Sequence, residues 1–442
     1  MLPPVIYLNC HDAGRMVEPY GFPVPAPNLQ RFAREALLFR NAHCAGPTCS
    51  PSRAALLTGR YPHQVGMFGL AHRGFRLWDY EQHLARRLKR LGYRSALAGG
   101  QHVAPSPDLI GYDEVISTPG GSLSFHDMSS AVNAARYIAA NAGHPFYLEC
   151  GFFYPHRPFP PVLQENEARY VPAFLPDSPE TRADMSAFSE GMRMTDQAFG
   201  VVLDAIRASG LWERAIIIVT TDHGPAFPFA KCHHNDQGTG VMLMVRLPGA
   251  PAPGVCDALV SHLDLLPTIL ELLGQPADPR LEGRSLLPLL DHPEAFAGRE
   301  LIASTTYHAA YEPVRSIRTE RYRYVRRFNE EWRWPVLPNI DDGPSKEKVC
   351  DELFCRNPVE AEALYDLQLD PTSACNRIAD PLYAAVASDL ATRLTGWMQA
   401  KGDPLLHGPV PPPPDALVVP CDAYSPHPEE NRKRQGALAA RG

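Results

Sequence analysis

Two short apolar runs each end on an acid beside an imidazole. The run Val5-Ile6-Tyr7-Leu8-Asn9-Cys10 leads into His11-Asp12, and a run at 214–220, centred on Ile216-Ile217-Ile218-Val219, leads into Asp222-His223. Such unbroken apolar, β-branched segments suit strands covered on both faces, the condition of a parallel sheet. A carboxylate released directly after such a strand must find a partner as it leaves the core. In open α/β sheets, ligands bind beyond the carboxyl ends of the strands. The two distant pairs therefore meet by topology and form a site.

The rest of the chain agrees with a sheet of this kind. Helical spacing of Leu29, Phe32, Ala33, Ala36 and Leu37 predicts a helix capped by Asn28. Further helices are expected over about 81–91, 129–140, 179–209 and 261–273, alternating with strands over about 94–98, 145–151 and 241–245. The alternation predicts an α/β fold with a large, mostly parallel sheet flanked by helices on both faces. From residue 301 the pattern changes to short antiparallel strands at 301–305, 314–317 and 322–325, then an amphipathic helix at 382–398. The expected organisation is a catalytic α/β domain over 1–298 and a smaller C-terminal α+β subdomain over 299–402. Residues 403–442, with Pro411-Pro412-Pro413-Pro414 and the charged stretch 429–434, read as an extended tail able to drape over the body.

A net charge of -7 argues against nonspecific nucleic-acid binding, which needs a basic footprint. No apolar stretch is long enough for a bilayer span, so no membrane role is expected. Met1-Leu2-Pro3-Pro4 enters the first strand without a charged leader, which points to the cytoplasm if Met1 is the natural start. The ten cysteines lack paired metal-ligand spacing. Cys350 and Cys355 are the best-placed disulfide pair, with reduced thiols the default for a cytosolic protein.

Cys49 opens the run Cys49-Ser50-Pro51-Ser52-Arg53-Ala54-Ala55-Leu56-Leu57-Thr58-Gly59-Arg60. Ser-Pro-Ser ahead of Arg-Ala-Ala-Leu-Leu reads as a helix start, with proline tolerated in the first turn. The unpaired N–H groups and positive dipole end then face residue 49 and any anion beside it. Arg53, one turn on, brings forked donors to the same place.

The run has the form C-x-P-S-R-x-x-x-L-T-G-R and resembles the signature of the sulfatase family, within the alkaline phosphatase superfamily. A closer resemblance, to the heparan N-sulfatase (N-sulfoglucosamine sulfohydrolase) group, rests on further segments in matching order. These are Leu38-Phe39-Arg40-Asn41-Ala42, Pro62-His63-Gln64-Val65-Gly66-Met67-Phe68-Gly69-Leu70, His102-Val103, Pro155-His156-Arg157, Asp222-His223-Gly224, Asp264 through Leu270 and Gly283 through Pro288. The resemblance implies an alkaline-phosphatase-like fold and conversion of Cys49 to formylglycine by a separate modification system. It also implies one divalent cation, calcium by family habit, held by His11, Asp12, Asp222, His223 and residue 49. His11 departs from the family's acidic residue and is either a ligand or a hydrogen-bonding neighbour of one; imidazole donors suit manganese better than calcium. Lys231 matches a cation that holds sulfate, His102 the base that deprotonates the diol, and His156 the histidine that protonates the leaving group. Gln101 and Arg157 are expected on the substrate side. Gly100 stands where the family commonly carries a lysine, a loss to be met by Gln101, Arg53 and Lys231, by Arg157 or Arg15 moving in, or by low activity.

The expected substrate is a sulfated saccharide, N-sulfated glucosamine ahead of O-sulfated sugars, and a homodimer is compatible with the chain. Asp222-His223 and the missing lysine keep open a phosphonate monoester or phosphodiester hydrolase. Gly100 also keeps open a silent protein that binds sulfated ligands without turnover.

Overall fold

In the computed structural model the described residues are 2–116, 127–162, 170–249, 254–351, 354–429 and 431. Eight strands form one sheet in the order Glu114–Ile116, Arg94–Gly99, Phe146–Phe152, Val5–Cys10, Ile216–Thr221, Leu243–Arg246, Leu37–Phe39 and Gly254–Cys256. Leu243–Arg246 runs against both neighbours and the other seven strands share one direction. The mostly parallel sheet expected from the helix–strand alternation is therefore present.

The apolar runs are continuous because the sheet is covered twice. Side chains alternate between faces along a strand. Ile6, Leu8, Cys10, Leu148, Ile217 and Val219 enter one core, packed with Met185, Phe188, Met192 and Phe199 of the helix Pro179–Ala208. Val5, Tyr7, Tyr147, Ile216 and Ile218 enter the other, with Leu56 and Leu57 of Cys49–Thr58, Leu84 and Leu88 of Leu84–Arg90, and Ile269 of Leu265–Leu272. Neither face has room for the polar alternation of a half-exposed strand.

The first helix departs from the expectation. It spans Pro27–Ala33, with Ala26 rather than Asn28 at its cap. Asp196 of the long helix supplies the capping carboxylate, accepting from the backbone N–H groups of Asn28 at 3.1 Å and Leu29 at 2.8 Å. Leu37, placed by spacing on this helix, instead belongs to the strand Leu37–Phe39.

A second sheet orders Leu301–Tyr307, Tyr311–Arg318, Tyr322–Arg327 and Glu362–Asp366, all antiparallel. The fourth strand was not foreseen from the sequence. This sheet packs on loops of the larger sheet through charge and hydrogen bonds. Asp236 is held by Arg318 and Arg323, and His234 bonds Ser316 and Thr305 at 2.8 and 2.9 Å. The Ser304 N–H donates to the Ala45 carbonyl at 2.8 Å, close to the helix Cys49–Thr58. Cys350 and Cys355 form a disulfide, where the reduced state was the default. The described part of the tail lies along the body: Leu417 N–H donates to Arg73 O and Val419 N–H to Ala309 O, each at 2.9 Å. Most of the stretch 429–434 falls outside the described residues. Among the described residues, no helix is long and apolar enough to cross a membrane.

Candidate active site

The carboxyl ends of Val5–Cys10 and Ile216–Thr221 are laced to each other before any ligand is considered. Asp12 N–H donates to Asp222 Oδ1 at 2.9 Å and Ala13 N–H to Thr221 Oγ1 at 3.1 Å. Asp12 adopts a φ of 48°, a left-handed conformation uncommon outside glycine, asparagine and aspartate. That turn aims its carboxylate back at the second strand end.

Cys49 is the first residue of the helix Cys49–Thr58 and is buried, as is Arg53 one turn later. Arg53 Nε donates to Asp222 Oδ2 at 3.1 Å, its Nη1 to Asn9 Oδ1, and Ser52 Oγ to the Asp222 carbonyl at 2.5 Å. Cys49 Sγ lies 3.2 Å from His223 Nε2. Burial pushes the Cys49 thiol well above its ordinary value, with Asp12 and Asp222 adding to that push and Lys231 and Arg53 opposing it. Burial would also raise Asp222, but neighbouring His223, Arg53 and His11 outweigh it and hold the carboxyl well below its usual range.

The donor set fits a divalent cation. Ligand atoms of Asp12, Cys49, Asp222 and His223 lie within 4.8 Å of one another, as do those of His11, Asp12, Cys49 and His156. His223 Nδ1 sits 2.9 Å from the Gly224 carbonyl and donates to it, so Nε2 presents a lone pair inward. Nε2 then faces Asp12 Oδ1 at 3.4 Å, a buried oxygen without a hydrogen bond among the described residues. A lone pair facing an unsatisfied carboxylate oxygen is repulsive unless a cation lies between them. His11 Nδ1 is 3.1 Å from Asp222 Oδ2, the arrangement of an imidazole that steadies a ligand carboxylate.

The substrate side is built from loops. Lys231 Nζ bridges Asp12 Oδ2 at 2.8 Å and Asp341 Oδ2 at 3.2 Å. His156 Nδ1 donates to the Arg157 carbonyl, leaving Nε2 facing Asp12 Oδ2 at 3.8 Å, with the side chain 24% exposed. His102 is half-buried, its ring centroid 5.6 Å from that of His11, and desolvation drives its pKa well below the ordinary value. Two expected substrate contacts are otherwise engaged. Gln101 accepts from the N–H groups of Val103 and Ala104 at 2.6 and 2.9 Å and donates to Ala104 O, clamping its own loop. Arg157 pairs bidentately with Asp184 and donates to Ala226 O at 2.9 Å. Arg15 is likewise held by Arg40 O and Asp236, so neither arginine stands in for the lysine absent at Gly100.

Three polar residues of this region escaped the sequence. Asp341 comes from the loop before the helix Pro344–Asp351; His308 Nδ1 meets Thr48 Oγ1 at 2.6 Å; and His72 meets His102 Nε2 at 2.8 Å. None sits on a periodic pattern. The Asp341-Asp342 pair in a loop and the position of His72 within two glycines' reach of Gly69-Leu70 were the available signals.

A buried cysteine at a helix start, beside residues that could hold a cation at the ends of parallel strands, is the alkaline-phosphatase-like layout of an α/β fold. Residues 5–275 match the family model described as Sulfatase, and residues 226–352 match that described as N-sulphoglucosamine sulphohydrolase, C-terminal. The chain belongs to the sulfatase family, hydrolases of sulfuric esters. Human N-sulphoglucosamine sulphohydrolase is 28% identical over 446 residues, spanning 87% of this chain and 88% of its own length. An ulvan-active sulfatase of Formosa agariphila is 29% identical over 402 residues, spanning 86% and 76%. Among solved structures, yidJ of Bacteroides fragilis matches the fold with a TM-score of 0.72 at 17% identity, covering 93% of this chain and 98% of that one. A protein solved in complex with its substrate D-glucosamine-2-N,6-O-disulfate matches with a TM-score of 0.69 at 16% identity, covering 92% and 99%.

Proposed function

We propose that this chain is a metal-dependent formylglycine sulfatase that removes sulfate from a saccharide, with N-sulfoglucosamine preferred over O-sulfated sugars. The observation that carries the reading is the convergence of Cys49 Sγ, His223 Nε2 and Asp12 Oδ1 beside Lys231. The thiol itself argues for modification: a cysteine held neutral by burial is a poor nucleophile, since the thiolate is the reactive form. Formylglycine at position 49, once hydrated, would supply one hydroxyl to attack sulfur and a second whose deprotonation expels sulfate as the aldehyde returns. A divalent cation held by Asp12, Asp222 and His223 would polarise a sulfuryl oxygen and lower the pKa of the attacking hydroxyl. Nitrogen donors from His223, and from His11 if it ligates, favour manganese over calcium.

The chain's own groups divide the proton work. Lys231, pinned between two carboxylates, directs its ammonium at the sulfuryl oxygens on which charge develops. His156 Nε2 gives a proton to the departing amine or alcohol. His102 accepts the proton of the remaining hydroxyl. The 28% identity to human N-sulphoglucosamine sulphohydrolase along most of both chains supports the choice of sulfamate.

Sulfate release from glucosamine N-sulfate, measured by ion chromatography, should exceed that of Cys49→Ala, and the Cys49 peptide should carry the aldehyde's mass. Equal release by the two proteins overturns the reading. A second reading, phosphonate monoester or phosphodiester hydrolysis, is favoured by the imidazole donor of His223 and by 24% identity to the multifunctional alkaline phosphatase superfamily protein PehA of Trinickia caryophylli. Sulfate and phosphodiester nitrophenyl substrates compared on one preparation separate the two.

A further inference from the structure

Beside His102 stands an imidazole that the sulfatase reading leaves without a task. His72 lies in the single turn Ala71–Arg73, ended by Gly74 at a φ of 96°. Its Nδ1 is 2.8 Å from His102 Nε2, with ring centroids 5.0 Å apart and planes 16° apart, a nearly coplanar, edge-to-edge pair. His102 has a φ of 58°, a left-handed backbone that persists for a histidine only where its surroundings enforce it. Gln101 enforces it with three hydrogen bonds to the following backbone. Loop and ring are thus fixed independently.

Two facing ring nitrogens at this distance share one proton, because two N–H groups or two lone pairs would repel. Either His72 donates and His102 carries its proton on Nδ1, or His102 donates through Nε2 and Nδ1 is bare. His102 Nδ1 is buried and has no hydrogen bond among the described residues. An orphaned buried N–H is rarer in proteins than an under-used acceptor. His72 is exposed, so water can satisfy a proton placed on its Nε2. The balance favours donation from His102.

We infer that His72 is a positioning residue whose Nδ1 accepts the Nε2 proton of His102 and so keeps His102 Nδ1 free to take a proton from the nucleophile. The inference rests on the formylglycine reading for its chemistry but on geometry for the tautomer. In the step it serves, the hydroxyl O–H bond breaks and an Nδ1–H bond forms, the freed pair makes the aldehyde C=O while the C–O bond to sulfate breaks and sulfate leaves, and the imidazolium charge is eased through the Nε2–H bond to His72. Without His72 the same ring can hold its proton on the wrong nitrogen, the fault that makes a misoriented histidine costly in acyl transfer.

Two variants separate this task from packing. His72→Phe keeps an aromatic ring and removes the acceptor, whereas His72→Asn sets an amide oxygen near the place of Nδ1. In the modified, metal-loaded enzyme, His72→Phe should lower kcat by roughly 10- to 100-fold, the scale of a lost acid–base contribution, and lower KM with it, leaving kcat/KM little changed because only the later step slows. The first-turnover burst of desulfated product should persist, because sulfur–heteroatom cleavage precedes the His102 step. His72→Asn should recover most of the turnover. Nitrogen-15 imidazole spectra of the resting protein should place the His102 proton on Nε2 in the wild type and redistribute it in His72→Phe. Wild-type turnover by His72→Phe, or a His102 proton on Nδ1 in the wild-type spectrum, overturns the inference. Failure of the wild type to release sulfate strikes at the sulfatase reading instead, and the spectra still decide the tautomer.

Discussion

The inner and outer halves of this site are held by different means. The inner half consists of Asp12, Cys49, Arg53, Asp222 and His223, each at most 2% exposed. Strand ends and a helix start fix these residues, and their polar atoms are laced to one another by hydrogen bonds of about 3 Å. The outer half, His72, His102, His156, Lys231 and Asp341, hangs on separate loops, one of them from beyond the second sheet's third strand. The inner half is therefore set by topology, and the outer half by loop packing. Chemistry common to a family belongs in the first, and discrimination between sulfated substrates in the second, since loops on a rigid scaffold vary most freely.

Lys231 tests the join between them. It touches inner Asp12 and outer Asp341, and its ammonium, buried with both carboxylates, is stabilised well above its ordinary pKa against the pull of burial. Lys231→Met should cut kcat for sulfate release by about 10²- to 10³-fold, the usual loss of a charge-stabilising donor. Asp341→Asn keeps the shape and one partner of Lys231, so the loss should be about tenfold or less in the same assay. Equal losses would mean that Asp341 belongs to the inner machinery and that the division is drawn in the wrong place.

The cation sharpens the comparison through stability rather than turnover. Chelator-treated protein should gain thermal stability on adding Mn²⁺, by about 2.7 kcal/mol at a hundredfold excess over the dissociation constant, and gain less with the same concentration of Ca²⁺. Asp12→Asn should abolish the gain in a thermal-shift measurement, whereas His156→Gln, on the outer side, should keep most of it. A full gain in Asp12→Asn would place the cation elsewhere.

The sequence spoke clearly about the inner half because its determinants are local. An apolar β-branched run ending in an acid marks a buried strand with a ligand at its tip, and Ser-Pro-Ser before an Ala-Leu stretch marks a helix start. Both signals lie within a dozen residues of the groups they place. Lys231 and His156 were named through family resemblance, not spacing, and Gln101 and Arg157, expected on the substrate side, have their polar groups engaged within the protein. A loop residue's type can match while its side chain turns inward, as Gln101 does to clamp Val103 and Ala104. Asp341 and His72 had no periodic signal, only their loop settings, since each is brought in by the packing of segments far apart in the chain. The same holds for the helix Pro27–Ala33, capped by Asp196 from the long helix Pro179–Ala208. A cap supplied across tertiary structure is invisible to a reading that looks for it in adjacent residues.

The smallest effect concerns pH and the loop that carries His156. Asp127 accepts from the N–H groups of Phe153 and Tyr154 at 2.7 and 3.0 Å, and burial raises its carboxyl from 3.8 to about 7 despite those bonds. Between these values the folded protein holds a proton that the unfolded chain has released. Its contribution to stability is therefore full below about pH 4 and lost as pH rises through about 7. His83 and His262, lowered by burial to about 3, tilt the opposite way, because the unfolded chain binds their protons first as pH falls below 6.5. Taking the difference between Asp127→Asn and wild type removes those histidine contributions. That difference should move in favour of the variant between pH 5 and 7, by about 2 kcal/mol in denaturant titrations, at 1.4 kcal/mol per pKa unit. Asp222, held low in the inner half, should show no such drift over this range. A flat difference for Asp127 would mean that its carboxylate is as well satisfied as that of Asp222, and that the outer loop is anchored as firmly as the strand ends.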